Sequence, residues 1–385
     1  MTSPPLPLAG IRVLDLTRLL PGNYCTLVMA ALGADVIKVE DKGPGDYIRN
    51  YGTQVEGTGA LHRIVNRGKR SICLDLKDSS DREVFDRLLA TSDVLVESFR
   101  PGVLARLGYD AERLHALRPS LVICSISGFG SDGPLAQNPG HDLNFLALSG
   151  LLHHTGRAGE MAVPLPIPLA DLLAGINAAL FTIPFVTHSA ATGVGAVIDT
   201  PMIESLALLP TSLMAELLAG KDVGGRGDFA LGGGLATYAV YRLQDGEVAV
   251  VAQEKHFWDE LVKLAGLEDL RHQQREPAAQ PEIRARLAKF FEGLTREDIG
   301  KLTADRPGCI TVVDSYRQMI DSDHAVSRNY VVQEPGEPLA MLQLPVTVDG
   351  HRLHTGRPAP SQGQHTQEIL ESLGLQENSK TDNGD

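Results

Sequence analysis

Ile11-Arg12-Val13-Leu14-Asp15-Leu16 and Asp35-Val36-Ile37-Lys38-Val39-Glu40 are two short runs rich in β-branched and apolar residues. Pro21-Gly22 interrupts the chain after the first, Tyr24 to Leu32 has helical apolar spacing, and Gly33 stops that helix. Strand, helix and strand in so short a span predict a parallel pair with a helical crossover, hence an α/β fold. The turn after the first run lacks G-x-G-x-x-G, so a nicotinamide or flavin dinucleotide is not signalled.

Moving outward, further strands are expected at Ile72–Leu76, Asp93–Glu97, Leu121–Ser127 and Ala196–Thr200. Helices are expected at Asp81–Ala90, Asp110–Leu117 and from Asp171 to about His188. The Gly-rich polar stretch Asp41–Gly59 reads as a surface loop. The apolar run Leu172–Val186 contains Asn177 and Pro184 and falls short of the roughly 20 residues of a membrane span, so it reads as a buried helix. Gly224 to Gly234 has no helical period and reads as a linker. Beyond it, Tyr238–Leu243 and Glu247–Ala252 flank Gln244-Asp245-Gly246, a hairpin signal. Helices ending at Leu264 and spanning Ile283–Phe291 and Arg296–Leu302, then a strand near Cys309–Val313, make this part α+β. The expected division is 1–223, 224–330 and 331–385, with a polar, disordered tail beyond Gln376.

The 385 residues allow two domains, and 43% hydrophobic with 22% charged residues describes a soluble globular protein. A net charge of −13 argues against a nucleic-acid partner, which needs a basic face, but not against an anionic ligand. The cysteines Cys25, Cys73, Cys124 and Cys309 form no C-x-x-C pair, so neither zinc nor a disulfide framework is indicated. Cys73 and Cys124 read as buried small hydrophobes. A reducing, cytoplasmic compartment is expected, and Met1–Ala9 does not read as a signal peptide.

The chemistry is expected around Gly140-His141-Asp142-Leu143-Asn144-Phe145. A loop ends at Gly140, and a helix begins at Asp142 with Phe145, Leu148 and Leu152 on one face. His141 therefore stands at a helix mouth, as a proton acceptor or as a simple cap. Asp171 opens the long helix, where capping is the ordinary role of an aspartate. Asn66-Arg67-Gly68-Lys69-Arg70-Ser71 could neutralise phosphates or be a solvated loop. Arg100 follows the strand Asp93–Glu97, at the edge where open parallel sheets bind ligands.

In their order these motifs resemble the class III CoA-transferase superfamily of the CaiB/BaiF type. The matching stretches are Leu8–Leu16, Leu32–Glu40, Asn66–Ser71, Leu74–Lys77, Glu97–Gly102, Ser127–Gly130, Gly140–Asn144 and Ala359–Thr366. Within the superfamily the chain is most similar to the alpha-methylacyl-CoA racemases. The resemblance implies CoA-thioester chemistry in a doubly wound, Rossmann-like large domain with a smaller α+β domain. It also implies a C-terminal segment returning to the large domain, and a homodimer of interlocked chains. It makes His141 and Asp171 the two bases, with Glu254 supporting the histidine. In the transferases of the superfamily, the aspartate at the position of Asp171 carries the acyl group. Lys38, Arg67, Arg70 and Arg100 are the candidates for the phosphates and adenine of CoA. The acyl-CoA thioester is the expected partner, with no nucleic acid, membrane, metal or further cofactor. Two features depart from the racemases: Leu172-Leu173-Ala174-Gly175 replaces a Gly-rich run, and Glu254-Lys255-His256-Phe257 replaces Glu-Pro-Gln-Phe. The GHDLN stretch with a true His141 nonetheless makes the expected reaction a 1,1-proton transfer at C2 of a 2-methyl-branched acyl-CoA. The alternatives are CoA transfer to a carboxylic acid through Asp171, and non-catalytic thioester binding. Backbone N–H groups at the two helix starts would hold the enolate oxygen.

Overall fold

The computed structural model describes residues 6–304 and 309–375. The chain forms two compact units, one of residues 1–146, 167–209 and 326–385, the other of 147–166 and 210–325.

The first unit is built on six parallel strands: β1 Arg12–Leu16, β2 Asp35–Glu40, β3 Arg70–Cys73, β4 Val94–Glu97, β5 Val122–Ser127 and β6 Ala196–Pro201. Their order across the sheet is β3-β2-β1-β4-β5-β6. Alternate side chains point to opposite faces. Val13, Val36, Val94, Val96, Val122 and Cys124 join one apolar cluster with α1 (Leu19–Ala31). Leu14, Ile37, Leu95 and Ile123 join another with α2 (Ser79–Ala90) and α3 (Ala111–Leu117). The short α4 spans Asp142–Leu148 and the long α5 spans Leu169–Thr192. The face of α5 formed by Ala174, Ala178, Ala179 and Val186 is buried in the first cluster. A Cβ on Gly175 would sit 2.4 Å from the Pro21 carbonyl oxygen, so glycine there sets how closely α5 approaches α1.

Several expectations change. At 24 residues α5 outruns the apolar stretch read from sequence, and by length and composition alone it could cross a membrane. Its contacts with α1 and with β5 and β6 place it as a helix covering the sheet. Only one side is buried; Ile176, Leu180, Phe181 and Phe185 are exposed, so it is not a wholly buried helix. The stretch Asp41–Gly59 is mostly exposed, as expected of a surface loop, but it also turns residues into the interior. Asp46, Ile48 and Arg49 are buried, and Arg49 pairs with buried Glu40 at 2.6 Å. Cys124 is buried as expected, Cys73 only half so. The residues from Val326 to the last described one belong to the first unit, where Ile369 of the closing helix Thr366–Ser372 joins the second cluster.

The second unit holds an antiparallel sheet of β7 Tyr238–Arg242, β8 Glu247–Val251 and β9 Ile310–Val312, in the order β9-β8-β7. The Asp245-Gly246 turn closes the first hairpin, with Leu243 N–H donating to Gly246 O at 2.9 Å. The sheet packs on α6 Lys255–Ala265, α7 Gln280–Glu292 and α8 Arg296–Thr303 through Trp258, Leu261, Ile283, Leu287 and Ile299. The unit begins at residue 210, not 224, and takes in Ala147–Pro166. The glycine-rich run is therefore inside it. A Cβ on Gly227 would lie 2.9 Å from Ala158 N, and one on Gly234 2.3 Å from Asp228 O; these glycines allow close packing instead of linking domains. The tail beyond Gln376 lies outside the described residues.

Candidate active site

The loop leaving β5 returns the chain to Gly140, and each neighbouring residue has a task. A Cβ at Gly128 or Gly140 would fall 2.8 or 2.7 Å from the Phe145 ring. The two glycines thus leave room for Phe145, which is buried edge-on against Phe129. Asn144 Oδ1 accepts from His141 N–H at 3.0 Å, while His141 O accepts from Asn144 N–H at 2.8 Å. These bonds fix the backbone of His141 and leave its side chain on the exposed side.

Asp142 then connects the two halves of the site. Its Oδ1 accepts from Ala170 N–H at 2.6 Å and from Asp171 N–H at 3.3 Å. It therefore caps α5 from another part of the chain. The residue at the N-cap position, Pro168, makes no side-chain cap bond, and Asp171 sits in the first turn instead of capping. The ordinary role expected for Asp171 belongs to Asp142. The N–H groups of Ala170 and Asp171 are consequently taken, so these two are not the free enolate donors expected from the sequence.

This arrangement brings His141, Asp142 and Asp171 together. Burial raises the Asp171 carboxyl, the Asp142 carboxylate raises it further, and His141 draws it back, for a value of about 6. A carboxyl titrating there can give or take a proton near neutrality. Glu254 belongs to the second unit, immediately before α6; it is exposed and makes no side-chain cap bond.

Of the residues expected to hold CoA phosphates, three have internal partners. Lys38 is fully buried and pairs with Asp46 at 2.9 Å. Arg67 donates to the carbonyl oxygens of Ile64 and Leu342 at 2.7 and 2.9 Å. Arg70 pairs with Asp35 at 2.6 Å and Glu368 at 2.8 Å. Lys38 and Arg70 are thus paired with carboxylates and Arg67 with carbonyl oxygens, which gives each of them a structural role inside the fold. Arg100 is exposed, beyond the carboxyl end of β4. Sequence reasoning quoted Asp142 without giving it a task; its position directly after His141 was the available signal.

The chain matches the family described as CoA-transferase family III over residues 8–366. It is 34% identical over 374 residues to the alpha-methylacyl-CoA racemase of Homo sapiens, covering 96% of this chain and 94% of that protein. It is 29% identical over 377 residues to the succinyl-CoA:glutarate CoA-transferase of Homo sapiens, covering 95% of this chain and 86% of that one. Among solved structures, a CAIB/BAIF family protein from Brucella suis aligns with a TM-score of 0.84 at 27% identity, covering 96% of this chain and 100% of that one.

Proposed function

From the premise that this chain belongs to CoA-transferase family III and is a CoA-thioester enzyme, we propose that it racemises 2-methyl-branched acyl-CoA thioesters by 1,1-proton transfer. The observation that carries this reading is that Asp142, next to His141, is bonded to the backbone of Ala170 and Asp171, and that the Asp171 carboxyl is pushed up to about 6. The similarity to the human racemase supports it. His141 would take the C2 proton from one face, leaving an enolate. Protonated Asp171 would deliver a proton to the other face, and the reverse reaction would exchange their roles. Each base thus ends in the other's starting state, and no proton is gained or lost. Acid–base assistance of this kind is worth roughly 10²–10⁴-fold. Glu254 is proposed to support His141, and Arg100 to face a CoA phosphate.

Incubation with a 2-methylacyl-CoA in deuterated water should place deuterium at C2. Absence of exchange with that substrate would sink the racemase reading. The second reading is CoA transfer, favoured by the transferase relatives and by Leu172 to Gly175 after the aspartate. Here the Asp171 carboxylate attacks the thioester carbonyl and CoA thiolate leaves, giving a mixed anhydride. The thiolate then attacks the aspartyl carbonyl, giving an enzyme-bound CoA thioester and a free carboxylate. Hydroxylamine trapping on Asp171 would identify it.

The first unit fits the doubly wound description, on its strand order and its two apolar clusters. An interlocked homodimer would cover the exposed face of α5. The free cysteines suit a cytoplasmic setting. No metal, redox group, membrane or nucleic acid enters this reading.

A further inference from the structure

Leu19 is one of four non-glycine residues with positive φ among the described residues, at +63°. Leucine adopts this conformation only under strain, whereas glycine would adopt it freely. The strain is not offset by burial, because the Leu19 side chain is 42% exposed. It is held instead by buried polar groups. Asp46, 1% exposed, accepts from Leu19 N–H at 2.9 Å through Oδ1. Its Oδ2 accepts from Asn23 Nδ2 at 2.6 Å and pairs with Lys38 Nζ at 2.9 Å. Asn23 Nδ2 also donates to Leu19 O. Lys38 donates in turn to Thr17 O at 2.9 Å and Asn23 Oδ1 at 2.7 Å. Ser98, beyond β4, accepts from Arg18 N–H at 3.1 Å. The backbone groups of the turn are therefore fastened from inside.

The turn follows β1, next to β4, where the strand order reverses direction; ligands of open parallel sheets bind in that crevice. Strain kept at such a place, with an apolar side chain turned outward, points to a partner outside the fold. The Arg18 guanidinium is already paired with Asp41 at 2.7 Å, so the turn offers an apolar contact and not a free charge.

We propose that Asp46, with Lys38 and Asn23, is a positioning residue that holds Leu19 in its strained conformation against the uncharged arm of a bound acyl-CoA. This rests on the CoA-thioester reading above. The test is titration calorimetry of the full chain with two probes. Acetyl-CoA carries the arm and the nucleotide; adenosine 3′,5′-bisphosphate carries the adenosine and two phosphates without the arm. Leu19→Ala should weaken acetyl-CoA by about tenfold, the size of one lost apolar side-chain contact, and leave the bisphosphate unchanged. Asp46→Asn, whose amide places donors against Lys38 or Leu19 N–H, should do the same. It should also speed hydrogen exchange at the Leu19 amide while β1 amides stay protected. Leu19→Ala binding acetyl-CoA as tightly as wild type, or equal loss of both probes in folded Asp46→Asn, overturns the proposal. Wild-type protein that binds neither probe removes the CoA-thioester reading itself, a distinct failure that takes this inference with it.

Discussion

Asp15 and Asp171 are the same side chain in the same unit, and the fold drives them in opposite directions. Burial is the largest influence on both and raises each. At Asp15, which is fully buried, the charges of Lys38 and Lys69 and bonds from Thr17 and Thr26 outweigh it. The carboxyl is held below the usual range. At Asp171, less deeply buried, the next influence is a like charge on Asp142, and the value rises to about 6. The number and sign of partners decide the direction, not depth. A fully partnered carboxylate becomes architecture; a carboxyl short of partners is available for proton transfer.

The sharpest way to break this contrast is to remove each carboxyl in turn. Asp15→Ala leaves Lys38 and Lys69 in the interior without their shared partner. It should lower the unfolding free energy by about 3–5 kcal/mol in urea titrations. Asp171→Asn should leave the urea midpoint near wild type yet reduce racemisation by roughly 10²–10⁴-fold. If instead Asp171→Asn unfolds as readily as Asp15→Ala, the division between architecture and chemistry is wrong.

The pH dependence sharpens it further. For the epimer whose proton Asp171 removes, kcat/KM should rise as pH increases through about 6. For the opposite epimer, where Asp171 must donate, it should fall across the same window. In Asp142→Asn, which removes one raising influence, both limbs should move to lower pH. Limbs that stay in place would exclude Asp142 as the neighbour that tunes Asp171. Asp142→Ala also removes the cap of α5, at a cost of about 1 kcal/mol by thermal denaturation.

The smallest effect concerns stability alone. A carboxyl raised in the folded state is more protonated there than in the unfolded chain. Wild-type unfolding free energy should therefore drop as pH climbs from the ordinary value, 3.8, to about 6. Asp171→Asn should abolish that slope and gain up to about 1 kcal/mol at neutral pH, after discounting for solvent screening. Asp15 acts with the other sign: its contribution is present above the ordinary carboxylate value and is lost only as pH falls through the lowered one.

The parallel strands were legible because both of their faces are covered, and runs such as Val-Leu-Val-Glu are hard to read otherwise. The hairpin at Asp245-Gly246 was legible for a local reason, an Asp-Gly pair set between two alternating apolar runs. The GHDLNF stretch announced a helix and a histidine, since helix starts are encoded within a few residues. What could not be read was partnership across long separations. Lys38 looked like a phosphate ligand until Asp46 was found beside it. Arg70 looked basic and free until Glu368 returned from the far end of the chain. The glycine run at 224–234 looked flexible until Ala158 and Asp228 were found pressed against it.

The sequence by itself therefore determined the element types, the α/β class of the first unit and the identity of His141 and Asp171 as reactive candidates. The first two rest on local periodicity; the third is what the resemblance of the motifs to the superfamily implied. The tertiary structure alone decided that Asp142 caps α5 and presses its charge on Asp171, and that Lys38 and Arg70 pair with carboxylates inside the fold. A charge has no fixed meaning along a chain; its energy depends on which groups folding places within a few ångströms of it.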